Sequence, residues 1–121
     1  MTVETKEIAL QSRGNCHVID VTSEVARHIE KSGIDNGIVT LFIVGSTAGI
    51  TTIEYEPNLI SDFKDMWDRV IPQNMPYEHN KTWRDGNGHS HVRASTLGAS
   101  LTVPFVNKRL TLGTWQQIIF V

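Results

Sequence analysis

The sequence has one cysteine, no long apolar run and almost no net charge. A lone Cys16 cannot form an internal disulfide, and it is best interpreted as a small, buried apolar residue. No stretch approaches the roughly 18 to 20 apolar residues that cross a bilayer, and the N-terminus lacks the basic start and apolar centre of a signal peptide. A formal charge of -2 gives no general attraction to nucleic acid or anionic membrane. These absences predict a cytoplasmic protein that binds neither nucleic acid nor membrane.

At 121 residues the chain is long enough for one domain with a single modest core. Short strand patterns, two helical patterns and a closing run of strands predict an α+β domain over residues 1–121, in which helices pack on a mixed or antiparallel sheet. No nucleophile elbow, phosphate loop or dinucleotide fingerprint is present, so these enzyme classes are not expected.

Two main helices and a short third are predicted from periodicity and capping. Thr22 to Ser32 has apolar residues at helical spacing and a glycine after it. From Pro57 to Pro72 one wide apolar stripe predicts a longer helix, in which Trp67 belongs to the core. A short helix capped by Ser90 is predicted through Val92 to Leu97.

Strands are predicted from β-branched runs and from turn residues between them. Gly37 to Val44 is nearly continuous in apolar residues, which predicts a strand buried on both faces in the middle of a sheet. Asn107 and Lys108 are predicted to turn a hairpin. The remaining predicted strands are Thr2–Leu10 paired with Cys16–Ile19, Ile50–Tyr55, Leu101–Val106, Arg109–Leu112 and Thr114–Val121.

The stretch from residue 77 to residue 93 is rich in groups that bind metals, move protons or contact anions. It contains three of the five histidines of the chain. From Gln73 to Gly88 no helical or strand period is visible, and loops of this length are usually functional or disordered. The candidate side chains are His79, Asp85, Asn87, His89 and His91.

This histidine segment permits more than one interpretation. If its backbone is extended, His89 and His91 point the same way and can share a ligand. With a nitrogen from His79 and an oxygen from Asp85 or Glu54, they would form a catalytic zinc site with one open position, although the spacing matches no familiar zinc signature. The alternatives are a histidine that transfers protons near pH 7, or ordinary loop histidines in solvent.

An anionic ligand is the second possibility. Unpaired amides at the start of the short helix favour phosphate or carboxylate, and Arg93 lies in its first turn. Between residues 77 and 93 basic side chains outnumber acidic ones by three to two. A salt bridge is an equally good interpretation of Arg93, because arginine serves both purposes.

Four blocks of sequence resemble the YjbQ family, also called UPF0047. They are Gly45–Glu54, Gly88–Ser95, Leu97–Pro104 and Leu112–Gln117, and the resemblance covers nearly the whole chain. It implies a small α+β protein that assembles as a homotrimer, with a pocket between subunits. It also implies a secondary thiamine-phosphate synthase activity and an unknown primary role. Family members usually continue beyond the last block, so the domain is expected to be shortened at Val121.

The resemblance also implies roles for matching residues. It implies catalytic roles for Glu54, His79 and His91, ligand contacts for Asn87, Arg93, Trp115 and Gln116, and metal contacts for His79, Asp85, His89 and His91. The implied ligand is a small phosphorylated or anionic molecule, and the metal would be Zn²⁺ or Mg²⁺. Joining a pyrimidine diphosphate to a thiazole phosphate needs charge stabilisation for the departing pyrophosphate more than a protein nucleophile. A non-catalytic metal- or anion-binding protein and a zinc-dependent hydrolase are the alternatives.

Overall fold

The structure, a computed structural model, describes residues 1–121 and contains six strands and four helices. In chain order they are β1 (Ile19–Asp20), α1 (Thr22–Lys31), β2 (Gly37–Phe42), β3 (Ile50–Glu54), α2 (Pro57–Val70), α3 (Asn80–Trp83), α4 (Gly88–Leu97), β4 (Ser100–Val106), β5 (Arg109–Leu110) and β6 (Gln116–Phe120). The strands form two antiparallel sheets, in the orders β1-β6-β3 and β2-β4-β5. The α+β class is therefore confirmed, with two separate sheets in place of one.

The main core lies where α1 meets both sheets. Val25 and Ile29 of α1 are buried against Ile50 of β3, Phe105 of β4 and Ile118 of β6. Ile118 has no exposed surface, and its strand is the central one of its sheet. Burying these side chains supplies the apolar area that holds the two sheets together.

Helix α2 begins and ends close to the predicted residues. The Glu56 carboxylate caps it by accepting hydrogen bonds from the backbone N–H groups of Asn58 and Leu59, and Pro57 occupies its first turn. Trp67 is 5% exposed, which confirms it as a core residue, and Phe63 contacts it edge to face at 5.8 Å. None of the helices is long and apolar enough to cross a membrane.

The predicted turn at Asn107 and Lys108 is confirmed. Both residues have positive φ, 51° and 61°, and Val106 pairs with Arg109 across the turn. Two consecutive left-handed residues are what a tight two-residue hairpin requires, and asparagine tolerates that conformation. The turn is also fixed from outside, because the side chain of Asn36 accepts from the Asn107 N–H at 3.0 Å.

The predicted strand at Thr2–Leu10 is wrong. The segment forms no strand, and none of its backbone groups hydrogen-bonds to the rest of the backbone. Its alternating residues include charged side chains that remain in solvent, and only Ile8 packs against the core. A strand requires a neighbour at hydrogen-bonding distance, which this segment lacks.

The prediction that Gly37 to Val44 is buried on both faces is also wrong. Strand β2 ends at Phe42 and pairs only with β4, so it is an edge strand. Val39 and Leu41 pack against the core, whereas Ile38 and Phe42 are each 67% exposed. A continuous apolar run does not distinguish a buried strand from an edge strand with one uncovered face.

Candidate functional site

The histidine segment is largely helical where a loop is predicted. Helix α3 lies inside the predicted loop, and α4 begins at Gly88, before His89 and His91. Each residue of a helix turns by about 100°, so these two imidazoles project in nearly opposite directions. The extended backbone under which they could share a ligand is therefore not present. The predicted cap is also wrong, because Asn87 precedes the helix and no side chain caps it.

Helices α3 and α4 approach closely because Gly88 has no side chain. Its N–H donates to Oδ1 of Asn80 at 2.9 Å. A Cβ at this position would lie 2.6 Å from Cβ of Tyr77, closer than real Cβ contacts. This contact fixes the start of α4 and so the position of the histidines that follow.

We expect Gly88→Ala to lower the free energy of unfolding by about 1–3 kcal/mol, because the added methyl overlaps Tyr77. Gly45→Ala is the matched control, since a Cβ there meets nothing within 4 Å and its φ is not positive. It should change stability by less than about 0.5 kcal/mol. Urea denaturation of both variants gives the comparison. Equal stabilities would contradict the close approach described above.

His79 and His91 are in direct contact. Their ring centroids are 4.4 Å apart, and the ring planes cross at 61° in an edge-to-face arrangement. His79 immediately precedes α3 and His91 lies in α4, so the approach of the two helices produces the pair. Both side chains are half-buried. The structure thus brings together two of the three residues that are predicted to be catalytic.

Buried polar atoms without a hydrogen-bond partner are concentrated here. They are Nε2 of His79, Oδ1 of Asn87 and Nδ1 of His89, and the chain contains only one other, in Trp67. An unpaired buried polar atom costs about 1–3 kcal/mol, so each one needs an explanation such as strain, a bound water or ion, or a catalytic role. We call His79, Asn87, His89 and His91 the histidine wall.

His89 lies deeper than its neighbours. It is 4% exposed, its ring centroid is 6.4 Å from that of Tyr77, and its Nε2 is 3.3 Å from Oγ of Ser90. Burial, with a smaller contribution from the charge of Arg93, lowers the pKa of His89 below its usual value. The imidazole is therefore neutral at pH 7.

This lowered pKa predicts how stability depends on pH. The unfolded chain binds a proton at His89 more readily than the folded chain, so the contribution to stability is complete above the ordinary histidine pKa and is lost as pH falls through the folded value. The free energy of unfolding should decrease between pH 7 and pH 5, with a slope of at most about 1.4 kcal/mol per pH unit from this group. His89→Gln should flatten the slope. An NMR titration that finds the ring already protonated at pH 7 would contradict the assignment.

Arg93 links α4 to the end of α2 through hydrogen bonds. Its side chain is 10% exposed, Nε donates to the carbonyl of Ile71 at 2.8 Å, and Nη2 is 3.2 Å from Oδ1 of Asp68. The salt bridge that was one interpretation of Arg93 is thus present. Contact between Arg93 and a ligand stays a prediction.

Three other predicted site residues form a second group. Glu54 and Trp115 line a hollow of about 370 Å³ that has no histidine among its lining residues. Gln116 pairs with Glu54 across β3 and β6, and its amide is held between the Thr52 hydroxyl and the Gly113 N–H. We call Glu54, Trp115 and Gln116 the tryptophan wall.

A comparison with protein-family models identifies the relatives of this chain. The model described as UPF0047 protein YjbQ-like matches residues 6–121. The chain belongs to the UPF0047 family. A UPF0047 protein of Methanothermobacter thermautotrophicus is 42% identical over 120 residues, which cover 99% of this chain and 82% of that protein. The UPF0047 protein YugU of Bacillus subtilis is 35% identical over 117 residues, which cover 95% and 86%.

Solved structures share the UPF0047 fold. A YbjQ-like protein of unknown function from Sulfolobus solfataricus superposes with a TM-score of 0.87 at 34% identity, over 93% of this chain and 80% of that chain. An uncharacterised YjbQ/UPF0047 protein from Clostridium acetobutylicum superposes with a TM-score of 0.83 at 35% identity, over 92% and 84%. The family resemblance is thereby confirmed, for a family whose function is not established.

The predicted metal ligands do not form a complete site within one UPF0047 chain. No group of three or more His, Cys, Asp or Glu side chains is placed to hold a metal ion. His79 contacts His91, but His89 is buried and Asp85 is exposed. Because catalytic zinc sites use three protein ligands, the residues of a single chain do not fit this cofactor. The metal set stays a prediction that would need ligands from a second copy.

Sequence reasoning missed several residues that position this UPF0047 site. Asn80 and Tyr77 set the distance between α3 and α4, and Asp68 pairs with Arg93. Asp68 is 25 residues from Arg93 along the chain, so no local pattern connects them. Gly88 carried a detectable signal, because a glycine between polar residues often marks a close approach of backbones.

Proposed function

We propose that the protein acts on a small phosphorylated molecule in a pocket formed between two copies of the chain, with His79 and His91 moving protons. The contact between these imidazoles, 4.4 Å from centroid to centroid, carries the proposal. Imidazoles accept and donate protons near pH 7, and a pair can serve both steps of one reaction. His79 and Asn87 also have buried polar atoms without a hydrogen-bond partner.

The separation of the two walls supports a pocket shared between subunits. In one chain the hollow beside Glu54 and Trp115 includes no residue of the histidine wall. Trp83, which ends α3 just beyond His79, is 75% exposed, and Trp115 is 71% exposed. Exposed tryptophans are typical of surfaces that become buried on association. In a cyclic homotrimer each histidine wall would face the tryptophan wall of the next copy.

Thiamine-phosphate synthesis is the reaction we propose as a secondary activity. Departure of pyrophosphate requires hydrogen-bond donors and a proton more than a nucleophile on the protein. The histidine wall supplies imidazole and amide groups of this kind. Zn²⁺ is part of the proposal only with ligands from the second copy, because one chain lacks a group of three. Mg²⁺ would need only one or two carboxylates in addition to the phosphates of the substrate.

Light scattering during size-exclusion chromatography tests the assembly. A homotrimer should have three times the chain mass of 13.6 kDa. A monomer at micromolar concentration would contradict the shared pocket.

Complementation between inactive variants tests the pocket itself. His91→Ala and Trp115→Ala chains, each expected to be inactive, are mixed, unfolded and refolded together. If the walls come from different copies, about a quarter of the pockets in randomly assembled trimers have both walls intact. Thiamine phosphate formed from the pyrimidine diphosphate and the thiazole phosphate should then return to about a quarter of the wild-type rate.

The matched control mixes His91→Ala with His79→Ala, which damage the same wall and should give no recovery. If mixed trimers form but neither mixture recovers, the pocket lies within one chain. If isothermal titration calorimetry detects binding of neither phosphate ligands nor metal to the wild-type protein, the proposed function is wrong.

A further inference from the structure

A second cavity lies on the inner side of α4, within a single chain. Its volume is about 240 Å³, and it is enclosed by residues 14–17, by residues 47–49 and by one face of α4. No residue of the histidine wall or the tryptophan wall lines it. We call it the inner cavity, and it requires neither a second copy nor the proposed reaction.

The only arginine that lines the inner cavity is held almost completely away from solvent. Arg93 uses Nε and Nη2 on Ile71 and Asp68, while Nη1 has no hydrogen-bond partner. Asp68 is 69% exposed and is not among the lining residues. Water therefore weakens the attraction between the Asp68 carboxylate and the buried Arg93 guanidinium. No Asp or Glu side chain lines the cavity. The interior is therefore favourable to one negative charge.

A second buried donor, on a residue that lines the inner cavity, lacks an acceptor. Trp67 lines the inner cavity at 5% exposure, and its Nε1 is the remaining buried polar atom of the chain without a hydrogen-bond partner. An indole N–H only donates. Cys16, also in the lining, keeps its proton at pH 7 because burial raises its pKa. These groups call for a ligand that accepts hydrogen bonds.

The rest of the lining is mixed. Its apolar part includes Ala48, Ala94, Leu97 and Phe120, and its polar side chains are Ser12, Asn15, His17, Thr47 and Ser90. Pockets for drug-sized ligands usually have about 300–1,000 Å³, so this one suits a smaller molecule. A single free guanidinium nitrogen matches a monoanion better than a phosphate dianion, which needs more donors.

We infer that the inner cavity binds a small organic carboxylate, which accepts a hydrogen bond from Nη1 of Arg93 and places its apolar body against Leu97 and Phe120. This site would allow a small metabolite to bind behind α4, the helix that carries His91.

The three tryptophans allow a direct test by NMR. Each indole N–H gives one signal, and each tryptophan lies in a different region: Trp67 in the inner cavity, Trp83 beside the histidine wall and Trp115 in the tryptophan wall. Titration with benzoate should shift the Trp67 signal saturably and leave the other two unchanged. Benzamide, of the same shape without the charge, should bind at least tenfold more weakly.

Three variants separate binding in the inner cavity from a general effect on the fold. Ala94→Leu should fill the cavity and weaken benzoate binding at least tenfold, whereas Thr96→Leu, on the exposed side of the same helix, should not. Asp68→Asn should strengthen binding severalfold, because it removes the carboxylate that competes for Arg93. A purely structural Arg93 would not produce a gain in affinity.

Several results would overturn the inference. They are an unchanged Trp67 signal, a shift caused by inorganic phosphate but not by benzoate, weaker binding in Asp68→Asn, or benzoate shifts confined to Trp83 and Trp115. The last result would place the ligand in the proposed intersubunit pocket. Conversely, a protein that neither forms a trimer nor turns over substrate should still show the benzoate-induced shift of the Trp67 signal. The experiments therefore distinguish failure of the proposed function from failure of the inner-cavity site.

Discussion

Turnover should fall roughly 100- to 10,000-fold when His91 is replaced with alanine, because the change removes one member of the proton-transferring pair. The imidazole is half-buried and packs on His79, so its loss leaves the core of the chain in place. Steady-state formation of thiamine phosphate gives the rate, and circular dichroism verifies the fold. His28→Ala, on α1 outside the histidine wall, is the control of the same residue type and should retain the wild-type rate.

The double variant strengthens this test. Residues that act as a unit are not additive, so His79→Ala combined with His91→Ala should cost little more than either change alone. Additive losses would show that the two imidazoles act independently and not as a pair. If the His91→Ala variant binds the phosphorylated ligand more weakly than the wild-type protein does, and the wild-type protein converts no substrate, the protein is a binding protein.

Replacement of Ile118 with alanine should lower the free energy of unfolding by about 2–5 kcal/mol. The side chain is completely buried in the central strand β6, within the cluster where α1 meets both sheets. Its removal leaves a cavity that the surrounding strands cannot close. Urea denaturation followed by circular dichroism measures the loss.

Ile38→Ala is the matched control for this change. Ile38 has the same side chain in a strand, but it is 67% exposed, and its truncation should cost less than about 0.5 kcal/mol. Comparable losses at the two positions would show that β6 is not the centre of the core.

Local sequence patterns were sufficient to predict the elements that are determined by their own residues. The apolar stripe of α2 predicts its length and the burial of Trp67, and the turn at Asn107 is visible in two residues. Other features depend on what lies next to a segment. Strand β2 and the segment Thr2–Leu10 both look like strands, but the neighbours that decide burial and pairing are distant in sequence.

The candidate site also combines features that local sequence predicts with features that depend on distant residues. Composition alone predicts a functional role for residues 77–93, and the structure brings His79 and His91 into contact. Sequence did not predict that α4 starts before His89, because the helix begins with a glycine and lacks a side-chain cap. Nor could it reveal that Glu54 lines a separate hollow, since this depends on the pairing of β3 with β6.

The open edge of β2 has a consequence for how the chain behaves before it reaches its native partners. From Gly37 to Val44 the sequence contains no lysine, no other charged residue and no proline, the features that usually discourage strands from joining edge to edge. A newly made or heated chain therefore exposes a template for cross-β stacking. We expect aggregation through this strand to limit its yield and shelf life.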